Sequence, residues 1–180
     1  YGARPGERCG DLTVLHEFEQ KLRAQPIPVA INRGAYYMSN WAGMLGSLGD
    51  NGRLPSFFPA DLLLSMVAPD DLGTAAAQRL LSPLGDVGVK YVEGPERYTP
   101  KDVADAVSEA FGIPVELAVI PREAWEETFR AFGFSKAAAA SYACMTEVVV
   151  AGQAAGPDDP ERGSTSLREY IARLKIERDP

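Results

Sequence analysis

A chain of 180 residues with 46% apolar and 9% aromatic residues can build one domain around a proper core. Its formal charge of −7, with Lys and Arg scattered among acids, excludes the clustered cations that a nucleic-acid surface needs. Cys9 and Cys144 stand without CxxC or Cys/His spacing, so neither a disulfide framework nor a zinc site is expected, and a reducing compartment is the default. No apolar run reaches the roughly 18 residues of a membrane helix, and the polar opening carries no signal peptide, so a cytoplasmic protein without a membrane anchor is expected.

The opening YGARPGERCGD reads as a loop, after which Asp11 can cap a helix carrying Leu12, Val14, Leu15, Phe18 and Leu22 at three- and four-residue intervals. Pro26 and Pro28 stop that helix, and Val29–Ile31 is a short β-branched strand. Helix and strand together form the later half of a βαβ unit, whose first strand is expected upstream of Tyr1. The chain thus reads as a fragment.

Between Tyr36 and Gly52 the glycines thicken, and Gly43, Gly46 and Gly49 match a GxxGxxG spacing. A phosphate-cradling turn must leave a buried strand directly and open a helix. Polar and aromatic residues precede these glycines, which favours a glycine-rich helix and turn over a phosphate site. Leu54–Phe58 and Leu62–Val67 are extended apolar segments, and Pro69-Asp70-Asp71 opens a helix through Ala77 and Leu81. Val87–Val92 is the next strand. Thr99-Pro100-Lys101-Asp102 is a strong helix start, and Gly112 is the matching stop. Val115–Ile120 is a further strand, Pro121 starts a helix with Trp125, Phe129 and Phe132 on its core face, and Ala137–Val150 is helical. A linker, Gly152–Ser166, leads to a terminal helix over Leu167–Leu174.

The segments LHEFEQKL, RGAYYMSNW, VAPDDLG, GPERYTPKDVA, IPREAWEETF and RGSTSLREYI, in that order, resemble the later part of NmrA-like proteins, atypical members of the short-chain dehydrogenase superfamily. The resemblance covers nearly the whole chain and implies an α/β, incomplete Rossmann-like fold with a small C-terminal α/β substrate-binding portion. Residues 1–150 would be the C-terminal part of the NAD(P)-binding domain, lacking its glycine-rich N-terminal half, and residues 151–180 a linker and terminal helix of the same domain. The family comprises quinone reductases, redox-sensing regulators and proteins of no known reaction. The implied parent is an NAD(P)H-dependent oxidoreductase acting on a small carbonyl or quinone. The alternative is a non-catalytic NAD(P)-binding sensor that signals through a protein partner. NADP or NAD would be held by the complete protein, and the 180 residues alone would bind it poorly. Homo-oligomers and a protein partner both remain open.

Catalytic relatives use a tyrosine whose pKa is lowered by a lysine. Leu15 stands where the resemblance places that lysine, Lys21 lies six residues on, and Tyr1 is too far from Leu15 for a YxxxK pattern, so no catalytic residue is assigned. His16, the single histidine, points about 100° away from Leu15 along the helix. It is either a structural or surface residue or a minor acid-base candidate. In RGAYYMSNW, Gly34 lets the backbone approach a planar ring, the tyrosines offer faces and hydroxyls, and Asn40 offers donor and acceptor. By the resemblance, Arg33, Gly34 and Tyr37 are the cofactor-binding candidates, and Tyr36 and Asn40 the substrate-binding ones. The structural alternatives are that the aromatics close the core and that Arg33 pairs with Asp70 or Asp71.

Overall fold

The computed structural model describes residues 1–48 and 52–178. In chain order, α1 (Asp11–Arg23) leads into β1 (Ala30–Gly34) and β2 (Tyr36–Tyr37), followed by α2 (Ser39–Met44) with a 3-10 turn (Leu45–Ser47). Then come β3 (Arg53–Ser56), β4 (Leu64–Val67), α3 (Pro69–Leu80), β5 (Gly88–Glu93), β6 (Arg97–Tyr98) and α4 (Pro100–Phe111). β7 (Glu116–Val119), a 3-10 turn (Arg122–Ala124), α5 (Trp125–Ala131), α6 (Lys136–Val150), β8 (Glu161–Arg162) and α7 (Leu167–Arg178) complete the chain.

Local chemistry sets most of these boundaries. Thr99 and Asp102 form a reciprocal capping box at the start of α4, and Gly112 ends that helix in the left-handed conformation at φ 68°. Asp11 is the first residue of α1 and not its cap, which is Gly10, although an acid there still complements the helix dipole. Phe132 caps the carboxyl end of α5 and, although 44% exposed, packs edge-on against Phe57 of the core at 6.3 Å. β8 forms inside the expected linker, and α7 runs past Leu174 to Arg178.

β1 and β5 run parallel from Ala30 opposite Gly88 to Gly34 opposite Val92, and β8 extends the sheet beyond β5. A second sheet places β4 between β2, parallel to it, and β6, antiparallel to it. Gly94 N donates to Met66 O at 2.6 Å and so stitches the two sheets together. β3 and β7 form a separate parallel pair. The main core lies between the second sheet, α2, α4 and α7, with Met38, Trp41, Leu54, Met66, Val103, Val107, Leu167 and Ile171 almost fully buried. A smaller aromatic core stacks Phe57 on Phe129 at 4.3 Å.

The amino ends of β1 and β5 are clamped by Arg79, only 8% exposed, which donates to Ile31 O, Asn32 Oδ1 and Gly88 O, each at 2.9 Å, and pairs with Asp86. The other edge of β1 pairs with no strand among the described residues. Beside it the apolar residues of α1 face outward: Val14 is 58%, Leu15 46% and Phe18 55% exposed, while Leu12, Thr13 and Glu19 take the buried positions. The amphipathic pattern of α1 therefore has no covering layer within these residues. Among the described residues no helix is long and apolar enough to cross a membrane.

Cys9 and Cys144 are joined in a disulfide, contrary to the expectation of two unpaired thiols, and the default of a reducing compartment loses its basis. Nothing in the local spacing signals this bond, because 135 residues separate the partners and only tertiary packing of the segment before α1 against α6 brings them together. Closing so long a loop restricts the unfolded chain strongly. Reduction by a dithiol is expected to lower the urea-unfolding free energy by about 2–4 kcal/mol. An unchanged midpoint after verified reduction would contradict this.

Candidate functional site

The site is built where the chain passes from one sheet to the other. After Gly34 at the end of β1, Ala35 N donates to Val92 O of β5 at 3.0 Å. The next two residues pair with Met66 and Val67 of β4, and Met38 N donates to Val67 O at 3.0 Å. Residues 34–38 thus span the carboxyl ends of two parallel strand pairs, the place where open α/β sheets offer a ligand crevice. A cavity of about 370 Å³ opens there. Gly34, Ala35, Tyr36, Tyr37 and Asn40 line it from below, Leu12 and Leu15 of α1 and Met145 and Val149 of α6 from two sides, and Phe58 and residues 62–65 opposite. The volume is within the range of small-molecule sites.

Gly34 is required by close approach. A Cβ there would come within 2.9 Å of both Leu72 Cδ2 and Tyr37 Cε1. The planar ring that lies against this backbone is thus that of Tyr37, itself 43% exposed. Tyr36 packs edge-on against Phe58 at 5.3 Å and Trp41 at 6.1 Å. Burial pushes its hydroxyl up to about 12, with a hydrogen bond from Asn40 opposing the shift. At neutral pH Tyr36 is therefore a neutral hydrogen-bonding group and not a base. Tyr36 and Asn40 act as a pair, and both face the cavity.

Arg33 is turned elsewhere. It grips Glu19 of α1 with two bonds of 2.7 Å, donates to Tyr91 Oη at 2.8 Å and lies 5.4 Å from the Tyr91 ring centre. This corrects the expected pairing with Asp70 or Asp71. Asp71 instead accepts from Thr165 N and Thr165 Oγ1. The hydrogen bond from Arg33 holds the Glu19 carboxyl below the ordinary range despite burial. Arg33 lines a second cavity of about 300 Å³ between α1 and the open side of β1, and not the first. Leu15 borders both cavities, and His16, half-buried on α1, lines neither. No lysine lines either cavity.

Of the glycine run, Gly43 lies inside α2 and Gly46 in the 3-10 turn after it, so neither stands in a turn leading from strand into helix. Gly49 lies outside the described residues. The segment from Ser39 to Ser47 is the helix and turn favoured above, without a pyrophosphate cradle.

Sequence reasoning missed Arg97, the one cationic side chain on the lining of the first cavity, because only the tertiary structure brings it to that wall. Glu93, fully buried at the end of β5, binds Arg97 Nε at 3.0 Å and Nη2 at 3.1 Å, and Arg162 Nη1 at 3.1 Å. Burial alone would raise the Glu93 carboxyl, but hydrogen bonds from Arg97 and Ser65 and the charge of Arg97 outweigh it and hold the group below its ordinary value of 4.5.

No protein-family model and no curated protein matches the sequence. Solved structures do. An NADPH-dependent quinone oxidoreductase from Escherichia coli, complexed with NADPH, superposes with a TM-score of 0.75 at 16% identity over 93% of this chain and 61% of its own. A triphenylmethane reductase from Citrobacter, complexed with NADP(H), gives 0.71 at 21% identity over 93% and 61%. NmrA, a negative transcriptional regulator in complex with NAD, gives 0.62 at 17% identity over 89% and 57%. At such identities the likeness defines the fold, which is Rossmann-like α/β, and the chain spans about three-fifths of the length of these proteins.

Two expectations follow from this geometry. Gly34→Ala should cost roughly 1–3 kcal/mol in urea unfolding, the range for forcing atoms into a filled space, and a loss below about 0.5 kcal/mol would show that Tyr37 yields freely. A carboxyl depressed in the folded state stabilises above its unfolded pKa and loses that contribution as pH falls through the folded value. Stability should therefore drop as pH is lowered below the ordinary carboxylate value of 4.5, and Glu93→Gln should flatten that drop. Parallel pH profiles for the two proteins would contradict the assignment.

Proposed function

We propose that this chain is the later part of an NmrA-like NAD(P)-binding protein whose complete form is an NAD(P)H-dependent oxidoreductase acting on a small carbonyl or quinone. The observation that carries this reading is the cavity over residues 34–40, at the carboxyl ends of parallel strands. The Tyr37 ring seated against Gly34 and the amide of Asn40 suit the ring end of a nicotinamide cofactor, with Gly34 and Tyr37 as its cofactor-binding residues. Arg33 would act behind them by fixing α1 against β1 through Glu19. The residues do not fit the phosphates, for which the described residues hold no glycine turn opening a helix. That grip, and a strand to pair with the open edge of β1 and cover Val14, Leu15 and Phe18, would come from polypeptide preceding Tyr1. Until covered, this edge and apolar face favour self-association.

When bound, a reduced nicotinamide supplies hydride. The chain's own residues do the rest: the leucines and Phe58 exclude water, while Tyr36 and Asn40 hold a carbonyl oxygen by hydrogen bonds. Leu15, in the position of the family's lysine, and the high pKa of Tyr36 favour a second reading, a sensor that binds NAD(P) without turnover.

The complete protein, mixed with NADPH and a panel of quinones and aldehydes, should consume the NADPH absorbance. Absence of turnover with every substrate would contradict the enzymatic reading. Calorimetric discrimination between NADP+ and NADPH would then support the sensor. The 180 residues alone should bind either form at least about a hundredfold more weakly than the complete protein, because the pyrophosphate contacts are absent. Equal affinity would contradict the proposed division of labour.

A further inference from the structure

The first cavity has one cationic side chain on its wall. Arg97 and Arg162 converge on the single buried carboxylate of Glu93, and Asp158 also acts on Arg97. Arg162 also donates to Gly94 O and does not line the cavity. Arg97 does line it, with its side chain 31% exposed. Its Nε and Nη2 are engaged by Glu93, and Nη2 also by Pro157 O at 3.1 Å, whereas Nη1 takes no part in these bonds. The Tyr1 hydroxyl lines the same cavity, buried beside Glu93 with no hydrogen-bond partner of good geometry among the described residues. The lining also carries the Tyr1 ammonium, which donates to Gly34 O at 2.9 Å, and Asp11, exposed at the start of α1. The remaining wall is mainly leucine, methionine, valine and aromatic. In such an apolar enclosure a guanidinium whose Nη1 takes no part in its bonds to Glu93 and Pro157 attracts an anionic group, and its planar fork suits carboxylate oxygens.

We propose that Arg97 is the specificity-determining residue of this cavity and that the substrate class is a flat, conjugated carbonyl compound bearing a carboxylate, with the carboxylate on Arg97 and the apolar body over residues 34–37. This rests on reading the cavity as the substrate site. The Tyr1 hydroxyl, buried beside Glu93 on the same lining, supplies a second donor to the anion.

The test measures binding of cinnamate and its neutral amide, cinnamamide, to the 180-residue protein by calorimetry, with no cofactor present. Cinnamate is expected to bind about tenfold more tightly, the scale of one hydrogen bond to a charged group. Arg97→Met should erase that preference while leaving cinnamamide unchanged, and Arg97→Lys should retain part of it. Glu93→Gln, which removes the competing carboxylate, should tighten cinnamate and leave cinnamamide alone. A role confined to bracing β5 would predict no such opposite shifts. Circular dichroism checks folding, and if Arg97→Met does not fold, the Lys and Gln variants decide. The proposal is overturned if the wild-type protein binds neither compound or does not discriminate. It is equally overturned if the preference survives in folded Arg97→Met, or if Glu93→Gln fails to tighten cinnamate. Failure of NADPH turnover in the complete protein would refute the oxidoreductase reading and leave this result standing, and the reverse also holds.

Discussion

The hydrogen bond from Ala35 N to Val92 O is the joint on which the rest of the structure depends. It ends the β1–β5 pairing and delivers the next two residues to β4, so the floor of the cavity is held by both sheets at once. Ala35, Val67 and Val92 are almost fully buried in a cluster of their own, packed by Leu72 and Ala75 of α3. A floor so fixed has little freedom to adapt, and ligand shape must follow the walls. Those walls come from sequence-distant elements, α1, the segment before β4, and α6, the last tied to the N-terminal segment by the Cys9–Cys144 bond.

Four arginines divide the electrostatic work in an acidic chain. Arg33 fixes α1 to β1 through Glu19, and Arg79 fixes the amino ends of β1 and β5 through carbonyls and Asp86. Each of these carboxylates also meets a second cation, Glu19 meeting Arg23 and Asp86 meeting Lys90. Arg97 and Arg162 likewise share Glu93, and that centre is the one that opens into the cavity. Buried ion pairs contribute little net stability compared with well-packed apolar groups. Their value here is positional, fixing strand ends and placing a cation at one end of an apolar enclosure.

Features encoded within a few residues were legible in the sequence. The capping box at Thr99 and Asp102, the glycine stop at Gly112 and the proline start of α3 depend only on neighbours along the chain. In RGAYYMSNW both readings of the sequence have a counterpart: Gly34, Tyr36, Tyr37 and Asn40 line the cavity, while Met38 and Trp41 lie in the core. What depended on distant partners was not legible. β1 continues through Asn32 and Arg33, polar residues that apolar patterning ends before, because Glu19, fourteen residues upstream, neutralises the arginine inside the fold. The disulfide, the partner of Arg33, and the presence of Arg97 on the cavity wall all required the tertiary structure. The outward apolar face of α1 is a different case: the periodicity marked an apolar face, and among the described residues nothing covers Val14, Leu15 and Phe18.

The central claim is that residues 34–40 are the floor on which a nicotinamide-sized ring rests. Backbone amide shifts of the 180-residue protein, followed by NMR while nicotinamide mononucleotide is added, test it most directly, because that probe carries the ring without the dinucleotide's second half. The account predicts that the largest perturbations fall on Gly34 to Tyr37 and on the side-chain amide of Asn40. Perturbations confined to Gly43–Ser47, or none on residues 34–40 at saturating probe, would contradict it.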